Sequence, residues 1–78
     1  MLEVRVKKVI SQVFNVPAES INENTSPDTL KKWDSLGHMN LVIALEEEFG
    51  ITLSEQQIIE ILNYPLIVHT IKEAVCPA

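Results

Sequence analysis

From Leu2 to Phe14, apolar residues fall at Leu2, Val6, Val9, Ile10, Val13 and Phe14, with polar or charged residues at most positions between them. This is the period of one helix face, so the chain opens with an amphipathic helix. The pattern then lapses. Asn15 to Asp34 carries Pro17, Pro27 and many small polar residues, and reads as one long connection inside a domain. Within it Val16 and Ile21 are candidates for the core, and Ser26-Pro27 has the cap-then-proline form that opens a single helical turn. From Ser35 to Phe49 the chain is free of proline, with Asp34 in the N-cap position and Gly50 after its end, where glycine accepts left-handed backbone. Ser54-Glu55-Gln56-Gln57 matches a capping box and starts a short third helix. Asn63, ahead of Pro65, opens a fourth, carried to about Val75 by Leu66, Ile67, Val68 and Ile71. The expected fold is all-α: three principal helices plus a short one, the longest loop lying between the first and second, in one domain over residues 1–78.

The second helix has two apolar directions. On a wheel of about 100° per residue, Leu41, Val42, Leu45 and Phe49 share an arc that serves as the core face. Leu36, Met39 and Ile43 form a second stripe on the other side of Ser35, which a small bundle does not need for its core. Glu46 lies near the line of Ser35, Glu47 flanks the second stripe, and Glu48 points away from both. Such a helix is either buried on two sides or offers a docking face. In the docking reading a partner covers Leu36, Met39 and Ile43 while its Arg or Lys residues meet Glu46 and Glu47.

Composition narrows the class. Seventy-eight residues supply a modest core, and with 46% hydrophobic but only 5% aromatic residues that core must be aliphatic. A net charge of -5 argues against nucleic acid, whose phosphates are met by Lys and Arg, and favours partners with basic surfaces. The bases lie mainly in two short runs, Arg5-Val6-Lys7-Lys8 and Lys31-Lys32, and the acids gather at Glu46, Glu47 and Glu48. The single cysteine, Cys76, reads as an inert tail thiol, with no partner for a disulfide and no metal-ligand spacing. Charged residues break up the early apolar run, and no stretch approaches spanning length, so neither a signal peptide nor membrane insertion is expected. The expected state is a cytoplasmic monomer.

Ser35, in Asp34-Ser35-Leu36, occupies the first turn of a helix, where free backbone N–H groups and the helix dipole favour a nearby phosphate. Taken alone, the tripeptide is an ordinary helix start. Taken with Leu41-Val42 and with Leu45-Glu46-Glu47-Glu48-Phe49-Gly50-Ile51, it resembles the signature of acyl carrier proteins, a resemblance that extends over essentially the whole chain. The resemblance implies a four-helix acyl-carrier-like bundle. It also implies a 4'-phosphopantetheine arm on Ser35 beside Asp34, transferred from coenzyme A by a phosphopantetheinyl transferase with Mg²⁺. Acyl groups are then carried as thioesters to loading and transferring enzymes, and the protein itself is not an enzyme. Ser35 needs no built-in base, since the transferase supplies base and metal.

The run Lys32-Trp33-Asp34-Ser35-Leu36-Gly37-His38 departs from housekeeping fatty-acid carriers, which usually have a Gly-Ala-like pair before the Asp. Gly37 and Asn40 stand where acids are common, which is expected to remove negative charge from the partner face. Trp33 either closes the long loop over the core or covers the base of the arm and meets a partner. The whole run looks more like discrete carriers of specialised polyketide, lipid or surface-polysaccharide pathways. A peptidyl or aminoacyl carrier shares the fold and arm, but more often has a Gly-Gly-like approach and fewer acids at the end of the second helix. Outside this class stand an unmodified interaction module using the second stripe, and a small Ser-His hydrolase. For the latter, His38 lies about 60° from Ser35 inside the core arc, where a hydrogen-bonded structural histidine is expected. His69 has no partner legible in the sequence.

Overall fold

The apolar stripe of the N-terminal segment folds as α1 (Leu2–Phe14), and in the computed structural model, which describes residues 2–75, it buries Val6, Val9, Ile10 and Phe14. The helix stops at Asn15, whose φ of 55° is left-handed. There the Val16 N–H reaches back to the Ser11 carbonyl at 3.2 Å, closing the last turn in the manner of a Schellman cap. The proline-free segment folds as α2 (Ser35–Phe49), ended by Gly50 at φ 62°. The capping box of Ser54 and Gln57 starts α3 (Glu55–Glu60) with both reciprocal bonds made. The Asn63 side chain accepts from the Leu66 N–H at 2.8 Å and starts α4 (Tyr64–Val75). Among the described residues the regular structure is helical throughout, as expected. Cys76 lies outside them.

The long connection is folded against the bundle. It contains one 3-10 turn at Ala18–Ser20, which the sequence pattern did not indicate, and the expected single turn at Ser26, whose carbonyl accepts from the Thr29 and Leu30 N–H groups at 3.0 Å each. Ile21 is buried and Val16 half-buried, as their positions suggested. Thr25 is the hinge pin of this loop. Its hydroxyl accepts from the Asn22 N–H at 2.9 Å. Its carbonyl accepts from the Tyr64 N–H, also at 2.9 Å, and so satisfies one of the free donors at the start of α4.

The core is aliphatic, as the composition requires. Val6, Ile10, Leu41, Leu45, Ile61, Ile67 and Ile71 are sealed from water, with Phe14 and Trp33 adding the aromatic surface. Burial of each such side chain stabilises the fold by about 1.5–3 kcal/mol before chain entropy is counted. Arg5 ties α1 to the end of α2. Its Nε meets Glu48 Oε2 at 3.0 Å, its Nη2 donates to the Glu48 carbonyl at 2.8 Å, and its guanidinium lies 4.5 Å from the centre of the Phe49 ring. A cation there satisfies a helix-end carbonyl, and it leaves the Glu48 carboxylate engaged within the fold. Lys72 meets Glu3 at 3.3 Å and links α4 to α1. The Glu3 carboxyl lies below the usual range, first through a backbone hydrogen bond and then through Lys72.

Candidate functional site

Asp34 precedes α2 with extended backbone, φ -96° and ψ -169°, and its Oδ1 accepts from the Gly37 N–H at 2.8 Å. This cap holds one oxygen of the carboxylate at the start of the helix. Ser35 is then the first helical residue and is exposed. The Ser35 and Leu36 N–H groups belong to the first turn, have no intrahelical acceptor, and add to the positive end of the helix. An exposed hydroxyl beside free donors, with one oxygen of the adjoining Asp34 carboxylate held by the Gly37 N–H, fits attachment of a phosphodiester.

Gly37 is buried, because the chain entering the helix folds over it. A Cβ built there would overlap the Lys32 carbonyl oxygen and would come within 3.0 Å of Phe14 Cε1 and 3.3 Å of Asp34 Oδ1. The expectation that Gly37 removes a charge from the partner face is therefore corrected. Position 37 faces the interior, and only Asn40 is exposed.

Trp33 requires a second correction. As a partner-contacting residue it would have to be accessible, yet it is 3% exposed and stacks on Phe14 with ring centres 5.6 Å apart. It closes the long loop over the core and gives only an edge to the surface near Ser35. Its indole N–H donates to His38 Nδ1 at 2.9 Å, and His38 Nε2 lies 2.7 Å from the Ile58 carbonyl oxygen. An indole N–H can only donate, so Nδ1 is the acceptor and the proton sits on Nε2, pointing at Ile58. Both ring nitrogens are thus occupied. His38 has no lone pair to offer Ser35, which removes the geometric basis for a Ser-His dyad.

Ser35 sits on the rim of a groove of about 470 Å³ lined by Pro27, Trp33, Asp34, His38, Met39 and Leu62. Next to it runs the second stripe of α2. Leu36 is 73%, Met39 46% and Ile43 52% exposed, so the helix is not buried on two sides. Leu62, just beyond α3, is 49% exposed and faces the same groove as Met39. Ile59 also remains exposed. The apolar pairs Ile58-Ile59 and Ile61-Leu62 exceed what a six-residue helix can bury, which was the available signal for this extension of the patch.

The two acids assigned to the docking face differ. Glu47 is exposed. Glu46 is partly buried, and its Oε2 accepts from the Leu53 N–H at 2.8 Å, stitching α2 to the loop before α3. As a docking residue it is corrected in part, because one of its oxygens is held within the fold. His69 pairs on its own helix with Glu73 at 3.5 Å, far along the chain from this site.

A family model described as the phosphopantetheine attachment site matches residues 4–71. An acyl carrier protein of Buchnera aphidicola subsp. Schizaphis graminum is 38% identical over 55 residues, which is 70% of either chain. An acyl carrier protein of Chlamydia caviae is 40% identical over 55 residues, covering 70% of this chain and 71% of that one. Among solved structures, the solution structure of the holo acyl carrier protein of Geobacter metallireducens superposes with a TM-score of 0.80 over 90% of this chain and 80% of its own. At 24% identity, that likeness speaks to the fold.

Proposed function

Because the chain belongs to the phosphopantetheine-attachment family of acyl carrier proteins, which are carriers and not enzymes, we propose that Ser35 is the residue that bears its 4'-phosphopantetheine arm. The observation that carries this reading is the setting of Ser35: an exposed hydroxyl at the start of α2, on the rim of a groove, with Asp34 engaged by Gly37. The Ser35 oxygen forms the phosphodiester as the adenosine bisphosphate half of coenzyme A departs, with base and Mg²⁺ supplied by the transferase. The helix start then lies beside the new negative charge and favours it. Once attached, the arm supplies the thiol on which an acyl group is held as a thioester.

The family works with a phosphopantetheinyl transferase and with acyl-handling enzymes. In this chain the docking surface is Leu36, Met39 and Ile43 with Glu47 at its edge and the free oxygen of Glu46 beside it, a face suited to partners that present apolar residues ringed by Arg or Lys. Leu62 extends that face. Among the described residues no helix is long and apolar enough to cross a membrane. The Trp33-to-His38 run supports a dedicated carrier of a polyketide, lipid or polysaccharide-modifying pathway over the housekeeping fatty-acid one.

The test is intact mass before and after incubation with a broad-specificity transferase, coenzyme A and Mg²⁺. One phosphopantetheine is expected, on the peptide containing Ser35. An unchanged mass would sink the assignment and favour an unmodified interaction module, and a gain on another peptide would move the arm off Ser35. For the docking face, Met39→Glu is expected to change stability by no more than about 0.5 kcal/mol, since the side chain is half exposed. The same variant is expected to slow modification by tenfold or more. Modification at the wild-type rate would take Met39 off that face.

A further inference from the structure

An acyl group at the end of an arm that folds back along Ser35 has two places to escape water, the groove on whose rim Ser35 sits and the helical interior beneath. We propose that Trp33, His38 and the Ile58 carbonyl close the second, so that this carrier shelters short acyl groups in the surface groove and admits no long aliphatic chain to its core. The inference rests on Ser35 being the attachment residue.

The groove has apolar walls from Pro27, Met39 and Leu62, and its volume of about 470 Å³ lies open to solvent along one side. Its floor is fastened from three parts of the chain. Trp33 comes from the end of the long loop, His38 from the first turns of α2, and Ile58 from α3. The 2.9 Å bond from the indole to Nδ1 and the 2.7 Å bond from Nε2 to the Ile58 carbonyl span the gap between α2 and α3. The two rings stack at 14°, and Phe14 stacks behind them.

A chain passing inward at this point would have to push the imidazole aside. That would break both hydrogen bonds and leave the indole N–H of Trp33, a residue only 3% exposed, without its acceptor, a loss that buried donors rarely tolerate. A short acyl group meets none of these costs in the groove. Added methylenes beyond the groove run out into water and gain nothing.

The inference is tested by loading the wild-type protein in one step from acetyl-, hexanoyl- and dodecanoyl-coenzyme A, then measuring thermal midpoint and Trp33 emission. Trp33 is the only tryptophan, so its emission reports on the floor alone. The wild type is expected to level off: hexanoyl and dodecanoyl forms share one midpoint and one emission spectrum. His38→Ala, with both bonds gone, is expected to melt roughly 5 °C higher in the dodecanoyl than in the hexanoyl form. A wild-type midpoint that keeps rising from hexanoyl to dodecanoyl, with a shifted Trp33 emission, would overturn the closed floor. So would an identical chain-length profile in a folded His38→Ala. If that variant does not fold, the wild-type series decides alone. Failure to gain any mass is a different result, and overturns the assignment of Ser35 along with this inference.

Discussion

Gly37→Ala will unfold with a midpoint roughly 10–20 °C below that of the wild type, the shift expected of a domain this size losing about 2–3 kcal/mol. Helix propensity alone predicts the opposite, since alanine in place of glycine inside a helix contributes about 1 kcal/mol. The clash decides the sign. The added methyl group would meet the Lys32 carbonyl oxygen, which is backbone, and also Phe14 Cε1 at 3.0 Å. A flexible side-chain tip would swing away, but here the loop entering α2 or the helix itself must move, and either shift loosens the Asp34 cap and the Trp33 packing together. Because domains of this size have only some 5–10 kcal/mol in hand, the loss is a large share of the total. Thermal unfolding followed by circular dichroism measures it. A midpoint equal to or above that of the wild type would show that the loop yields without cost and that Gly37 is not required by the fold.

Ser35→Ala will take up no phosphopantetheine under conditions that convert the wild type to completion, while folding at least as well. The hydroxyl is exposed and makes none of the hydrogen bonds that define the start of α2. Removing it leaves the Asp34 bond to Gly37 and the floor of the groove in place. Alanine also has the better helix propensity by roughly 0.5 kcal/mol, so the variant should melt no lower than the wild type. The pairing of lost modification with unchanged stability is what separates an attachment residue from a structural one. Intact mass and a melting curve on the same sample provide both readings. A full mass gain on Ser35→Ala would move the arm to another residue, and a collapsed melting curve would make the lost modification uninformative about chemistry, in which case Ser35→Gly gives the second trial.

Much of this was legible along the chain because the relations are local. The Asp34 cap, the Gly50 stop, the Ser54–Gln57 capping box and the Asn63 cap each join residues a few positions apart. Their meaning therefore depends on backbone geometry that is the same in every helix. The exposed stripe of Leu36, Met39 and Ile43 follows from the helical period by the same reasoning. It stayed exposed because the opposite arc, Leu41, Val42 and Leu45, already meets α1 and fills the core.

Other features depend on what lies across the fold. Read in order, Gly37 resembles a surface residue near Ser35, and Trp33 fits either the core or the surface. Phe14, at the end of α1, stacks on the indole and, with the Lys32 carbonyl oxygen, leaves no room for a Cβ at position 37. Glu46 has the periodic position of a docking acid, but the loop after Gly50 brings the Leu53 N–H to its carboxylate. His38 was expected to be held by hydrogen bonds, while its two partners, a loop indole and an α3 carbonyl, have no spacing that a pattern can register. The sequence by itself therefore determined where the helices begin and end, which stripe stays wet and which serine stands at the start of α2, because each follows from neighbours one or two turns away. The tertiary structure alone decided what lies beneath that serine, because the closed floor and the buried glycine form only where Phe14 of α1 and Ile58 of α3 meet the loop and α2 in space.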